Sequence, residues 1–184
     1  MVARAGVIGV SHDEQAIAPT KTFEPSLDIM TSDQIRLIRE TFALVAPGAD
    51  VAARTFYRRL FELDPSLRPL FRPDLEDQGR KLMQMLGAAV GLLERPESLV
   101  PVLENLGRRH VGYGARDAHY DTVGEALLWT LRETLAAKFT PAACDAWTDL
   151  YALIAKTMKH AAAQVPPLKV APACSSQTVE IWKT

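Results

Sequence analysis

The chain has 184 residues, 48% of them hydrophobic, and a formal net charge of −1. That length suits one domain with a substantial core, and the near-neutral charge argues against a dedicated nucleic-acid binder, which carries a basic excess or stripe. No apolar run approaches the ~20 residues of a membrane span, the patch from Ala5 to Val10 is too short for the core of a signal peptide, and Cys144 and Cys174 have neither metal spacing nor a disulfide framework, so a cytoplasmic protein is expected.

Residues 1–28 mix Gly, Pro, Ser and charge without periodicity and are expected to form a flexible extension. Thr31 then reads as a helix cap. Gln34, three residues on, completes a capping box, and Met30 and Ile35 suit a hydrophobic staple. Ile35, Ile38, Phe42 and Val45 line one face until Pro47-Gly48 stops the pattern. A second, aromatic-rich helix is expected from Asp50 to Leu63, with Phe56, Tyr57 and Phe61; Pro65 interrupts it, and a turn leads to Leu70-Phe71. Asp74 is the expected cap of a third helix from Leu75 to Leu93, with Gln78, Leu82, Met85 and Leu86 inward. Gly87 and Gly91 are expected to admit a neighbouring helix, and Pro96 to end the segment.

The next helix is expected to start near Ser98, with Pro101 in its first turn, and to reach His110. Leu99, Val102, Leu103, Leu106 and His110 share a face at helical spacing, so the imidazole points where apolar side chains point. By spacing alone, such a histidine is more often a hydrogen-bonded core residue than a ligand. It is also what a five-coordinate haem iron requires: one nitrogen below and an adjustable pocket above. Asp117 is the expected cap of a helix carrying Tyr120, Val123, Leu127 and Leu131, and Thr140-Pro141 opens the last, with Trp147, Leu150, Tyr151, Ile154 and Met158. Residues 164–184 hold Pro166, Pro167, Pro172, Ser175 and Ser176 and read as a second tail, leaving 29–163 as the domain. Nothing alternates as a strand and no repeat is present. The expected class is all-α, with about seven helices.

Six pieces follow one another in a telling order: Phe56-Tyr57-Arg58-Arg59-Leu60-Phe61, Leu70-Phe71, Gln78-Gly79-Arg80-Lys81-Leu82-Met83, Leu106 to His110 with Tyr113-Gly114, His119-Tyr120, and Ala146-Trp147 with Tyr151. Over residues 29–162 this order resembles the globins, most closely the bacterial single-domain globins and the haem domain of flavohaemoglobins. The resemblance implies a 3-over-3 fold holding one haem b (iron protoporphyrin IX). Non-covalent binding agrees with the lack of a Cys-x-x-Cys-His motif. It implies His110 as the proximal iron ligand through Nε2, with the other ring nitrogen donating a hydrogen bond that sets the tautomer. Phe71 matches the haem-stacking phenylalanine and Leu82 the apolar residue above the iron. Tyr57 and Gln78 match a distal polar pair. Bound O2 accumulates negative charge, so an inward phenol and amide hold it, each bond to a charged acceptor contributing roughly 1.5–3 kcal/mol. Tyr57 also reads as a packing tyrosine, and Gln78 as a solvated glutamine. Lys81 either reaches a haem propionate or is simply solvated.

Gln78 stands where globins with two haem-bound histidines place the second one, which argues against six-coordination by a distal histidine. Water, hydroxide or the Tyr57 phenolate stay open as ferric ligands. Tyr120, ten residues after His110, matches a tyrosine that acts in flavohaemoglobins as a proximal hydrogen-bond partner together with a glutamate. The glutamate's place falls at Ala162, within Ala161-Ala162-Ala163, which weakens the case for a peroxidase-like push. The resemblance implies tight reversible O2 binding for storage, delivery or scavenging, with NO and CO as further ligands. A nitric oxide dioxygenase served by a separate reductase, and a haem-based gas or redox sensor, are the alternatives.

Overall fold

The computed structural model describes residues 30–71 and 74–166. The expected 1–28 extension, most of the 164–184 tail, His12 and Cys174 lie outside the described residues. Thr31 opens the first helix as its spacing predicts. Its hydroxyl accepts from the Gln34 N–H (3.2 Å), and the Gln34 side chain accepts from the Thr31 N–H (2.8 Å). Two of the amides that a helix start leaves unpaired are thereby satisfied. Gln34 has a second task, donating Nε2–H to Asp149 (2.7 Å) on the last helix.

Helix α1 (Ser32–Val45) passes through a 3-10 turn into α2 (Ala49–Leu63). Asp64 caps the 3-10 segment Pro65–Leu70, and Asp74 caps α3 (Leu75–Gly91) by accepting from the Asp77 N–H (2.9 Å). Then follow α4 (Pro96–Gly112), α5 (Asp117–Leu135) and α6 (Pro141–Ala163), the last capped by Thr140 as expected. Among the described residues there is no strand, and the all-α class stands, with six α-helices and three 3-10 segments.

Several local expectations shift. Pro96 does not close the preceding segment but is the first residue of α4, where its fixed φ and missing N–H cost little. Pro101 therefore lies beyond the first turn, and the Glu97 carbonyl loses its helical partner. Both residues are exposed, so water can replace it. Asp117 is the first residue of α5, not its cap. Arg116 takes the cap position, its N–H donating to His119 Nδ1 (3.1 Å), while Asp117 favours the helix start by charge. Val102 is 37% exposed and leaves the inward face of α4, whose buried residues are Leu99, Leu103 and Gly107. Gly91 faces open space, whereas Gly87 meets the Phe42 ring.

One layer comprises α1, α3 and α4; the other comprises α2, α5 and α6. They are stitched by α4 on α6, α2 on α3 and α1 on α6. The tightest crossing is α4 on α6, where Gly107 lies against the Met158 backbone and an added Cβ would stand 2.8 Å from Met158 Cα. The consecutive helices α3 and α4 hardly touch. The apolar interior divides accordingly. One cluster gathers Leu99, Leu103, Trp147, Leu150 and Tyr120; the other gathers Phe56, Tyr57, Leu60 and Leu67, with Phe71 and Leu82 packed on it. Leu127 packs on both.

Candidate functional site

His110 sits in the last turn of α4 and is half-buried. Its Nδ1 lies 2.8 Å from the Leu106 carbonyl, one helical turn back. A carbonyl only accepts, so Nδ1 carries the proton and Nε2 keeps its lone pair. Burial, helped by Arg109, pushes the imidazole below its ordinary pKa despite the Leu106 bond. A neutral Nδ1–H tautomer is the form that ligates a metal through Nε2. The expected donation by the second nitrogen is present. Its acceptor follows from helix geometry, because the carbonyl four residues back is the one an inward side chain reaches. The sequence places Leu106 on the inward face without singling out its carbonyl as the acceptor.

The Tyr120 ring lies 6.4 Å from the His110 ring, centroid to centroid, and is tilted by 33°. Tyr120 is buried, yet its hydroxyl has no hydrogen-bond partner among the described residues. It therefore does not bond the imidazole, whose Nδ1 is taken by Leu106. Tyr120 is positioned instead through its backbone, which accepts from the Tyr151 hydroxyl. Burial and the nearby Asp117 raise the Tyr120 pKa, keeping it a neutral phenol. Ala162 contributes no carboxylate. The α6 side chain that lies over the Tyr120 ring is a cation, Lys159, with its ammonium 5.4 Å from the centroid and 3.4 Å from Asp121. Lys159 stands three residues before Ala162 in the sequence, but its place over Tyr120 is set by how α6 crosses α5.

Helix α2 presents Tyr57 at 5% exposure. Its ring meets Phe56 edge-on (5.1 Å), stacks with Phe61 (6.0 Å) and meets Phe71 edge-on (5.4 Å). The Tyr57 hydroxyl makes no hydrogen bond among the described residues, and burial pushes its pKa up to about 12. Phe71 is half-buried between Tyr57 and Phe61. Leu82 packs on the same cluster from α3. Gln78 is half-buried in the first turns of α3, its side chain without a hydrogen bond among the described residues. Its neighbour Gly79 lies on Ala53 and beside Tyr57, bringing Gln78 and Tyr57 to one crossing. Lys81 is exposed and its ammonium already pairs with Asp77 (2.5 Å), so it reaches a cofactor carboxylate only by leaving that partner.

A haem needs apolar walls, a neutral nitrogen with a free lone pair, and few buried charges beside it. The residues present fit. Nε2 of His110 makes no hydrogen bond among the described residues, and the two apolar clusters, one holding Leu99 and Leu103 of α4 and the other packed by Leu82 of α3, share Leu127. Two buried phenols, Tyr57 and Tyr120, stay neutral on either side.

The globin family model matches residues 54–158. The chain is 34% identical over 131 residues to a flavohemoprotein of Bordetella parapertussis, a match spanning 68% of this chain and 32% of that protein. It is 31% identical over 133 residues to one of Chromobacterium violaceum, spanning 70% and 33%, and 28% identical over 130 residues to one of Rhodopirellula baltica, spanning 69% and 32%. The chain thus belongs to the globin family, and the all-α helix order described above is that family's fold. It is a haem-binding globin that spans about a third of the length of the relatives it matches. No helix among the described residues is long and apolar enough to cross a membrane.

Proposed function

We propose that this globin binds haem b through Nε2 of His110 and holds O2 tightly for storage, delivery or scavenging. The haem, when bound, supplies the ferrous centre that takes up diatomic gases. The observation that carries the reading is the Nδ1–Leu106 bond opposite the unpartnered Tyr57 phenol. Leu106 fixes the His110 tautomer and hence the atom that ligates. Tyr57, protonated at any physiological pH, offers an O–H to a ligand oxygen that carries partial negative charge. Gln78 stands ready as the second donor, Leu82 limits the space above, and Phe71 provides the stacking face. The test is absorption spectroscopy of the ferric, ferrous and oxygenated forms beside His110→Ala. The substitution is expected to lose haem, or to need added imidazole to keep it. An unchanged five-coordinate ferrous spectrum would overturn the assignment.

A second reading is nitric oxide dioxygenation with a separate reductase. It draws support from the likeness to flavohemoproteins, confined to about a third of their length, and from Tyr57 and Gln78, which serve either function. Ala162 in place of a carboxylate favours the first, because no carboxylate there strengthens electron donation by His110.

A further inference from the structure

Among the described residues, three large hydrophobic side chains stand well exposed at one corner. Leu70, at 40% exposure, ends the 3-10 segment after α2, while Val111 (39%) and Tyr113 (55%) stand at the end of α4. A Cβ on Gly114 would lie 3.5 Å from Leu70 Cδ2, which brings the two segments together. The start of α5 joins them. Ser66 above all, and then His119 and Arg116, hold the Asp64 carboxyl below the ordinary carboxylate range. Exposed apolar groups gathered in one place mark an interaction surface, whereas scattered ones do not. The cations at this corner are uncommitted. Arg109 donates to the Tyr113 hydroxyl (3.3 Å), Arg68 lies over the Phe61 ring (5.1 Å), and neither these nor Arg116 has an ion pair among the described residues. Arg108 is paired with Glu104 (3.8 Å). The acids nearby are Asp64, whose carboxylate accepts from the Ser66 N–H (2.9 Å), and Asp117. Three free guanidiniums against two acids leave the corner cationic, on a chain whose net charge is −1.

The corner also touches the site. The Tyr113 ring meets the His110 ring edge-on, 5.7 Å between centroids, so the exposed surface is one ring removed from the imidazole. We propose that the Leu70/Val111/Tyr113 corner docks a separate acidic protein that donates single electrons. Three apolar side chains are too few for the core of a stable dimer, but electron-transfer encounters are the smallest and briefest of protein contacts. The unpaired arginines would steer an acidic surface toward the corner, and the apolar groups would hold it there long enough for transfer. Either function proposed above needs such a donor, since a globin left ferric holds no O2. This inference rests on the haem reading above and adds to it the face at which electrons arrive.

The probe is a bacterial flavodoxin, an acidic one-electron flavin carrier. Its hydroquinone anion gives up one electron to become the neutral semiquinone, and the ferric haem takes that electron to become ferrous; no bond in this chain forms or breaks. In stopped flow with the haem-loaded full chain, the second-order rate should fall by roughly tenfold or more as ionic strength rises from about 0.01 M to 0.3 M. Arg109→Glu with Arg116→Glu should lower the low-salt rate by about tenfold and flatten its salt dependence, and Val111→Glu should lower it as well. Arg132→Glu, at the far end of α5, should leave it unchanged. Reduction by dithionite separates docking from a shift in haem potential: equal slowing with both reductants would overturn the proposal, as would a native rate indifferent to salt. A binding measurement needs no substitution. Oxidised flavodoxin added to the native CO-bound chain should shift the amide resonances of residues 111–118, and shifts elsewhere alone, or none, would overturn the corner even if a variant fails to fold. Dimerisation of the native chain that Val111→Glu abolishes would assign the face to a second copy, and contacts from residues 1–28 to Tyr113 would assign it to the chain's own N-terminal segment; either overturns the proposal. Failure of the native chain to take up haem is seen before any of these measurements and would overturn the underlying reading.

Discussion

At the scale of single residues, the proposed chemistry rests on buried Tyr57 and half-buried His110, each held in its neutral form by its surroundings. Tyr57→Phe removes one hydroxyl and almost no volume. O2 release should accelerate by roughly tenfold to a hundredfold, equivalent to one charge-assisted bond of about 1.5–3 kcal/mol. CO release should change far less, and equal changes for both gases would assign Tyr57 to access or packing. His110 carries a pH dependence whose sign follows from its burial. The folded pKa lies below the ordinary value near 6.5, so the unfolded chain takes up the proton first. Stability from this group is present above that value and is lost as pH falls through it toward the depressed folded pKa. Urea stability of the haem-free chain should be flat above about pH 7 and fall below about pH 6. A flat profile through both ranges would sink the assignment. The roles proposed for Tyr57 and His110 come from the resemblance, since an inward histidine and a tyrosine among phenylalanines are ordinary core residues. The Leu106 partner follows from helix geometry; the Lys159 cation over Tyr120 needed tertiary placement.

At the scale of elements, capping and periodicity predicted the helices well. Thr31, Asp74 and Thr140 cap as expected because each side chain meets the amide three residues on. The misplacements cluster where proline and glycine have two meanings. Pro96 both ends and begins helices, and only the three-dimensional path of residues 92–96 tells which. Gly91 and Gly107 look alike in sequence, yet one faces open space and the other the Met158 backbone. Gly107→Ala should therefore destabilise the protein by about 1–3 kcal/mol, because neither backbone can rotate away. Gly112→Ala, with nothing within 4 Å, should stay within about 0.5 kcal/mol. Urea midpoints compare the two directly. Equal midpoints would mean that α4 and α6 are not so closely joined.

At the scale of the whole molecule, the proposed haem site draws Tyr57 on α2 and His110 on α4 from opposite halves of the chain. Class and helix order were readable in advance; which side chains stand over which was not, because that depends on crossing geometry. Mixed with nitric oxide, the oxygenated protein should yield nitrate in a single turnover. With haem bound, the ferrous centre would supply the one electron that nitrate formation from NO and O2 requires. Further turnovers should need an added reductase, and peroxidase activity should be weak. Stopped-flow mixing with and without a flavin-type reductase checks this. Slow first turnover would leave O2 storage, and rapid unaided cycling with nicotinamide alone would reveal an electron route within the chain.

The poor contact between α3 and α4 has a bearing on supply. The helix that carries His110 is anchored mainly to α6, so a cofactor lying across the cleft would join it to the other half. Binding free energy then becomes folding free energy. Newly made chains without haem would spend longer partly open and meet proteases more often. The amount of this globin in a cell would follow the availability of haem as well as the rate of its own synthesis.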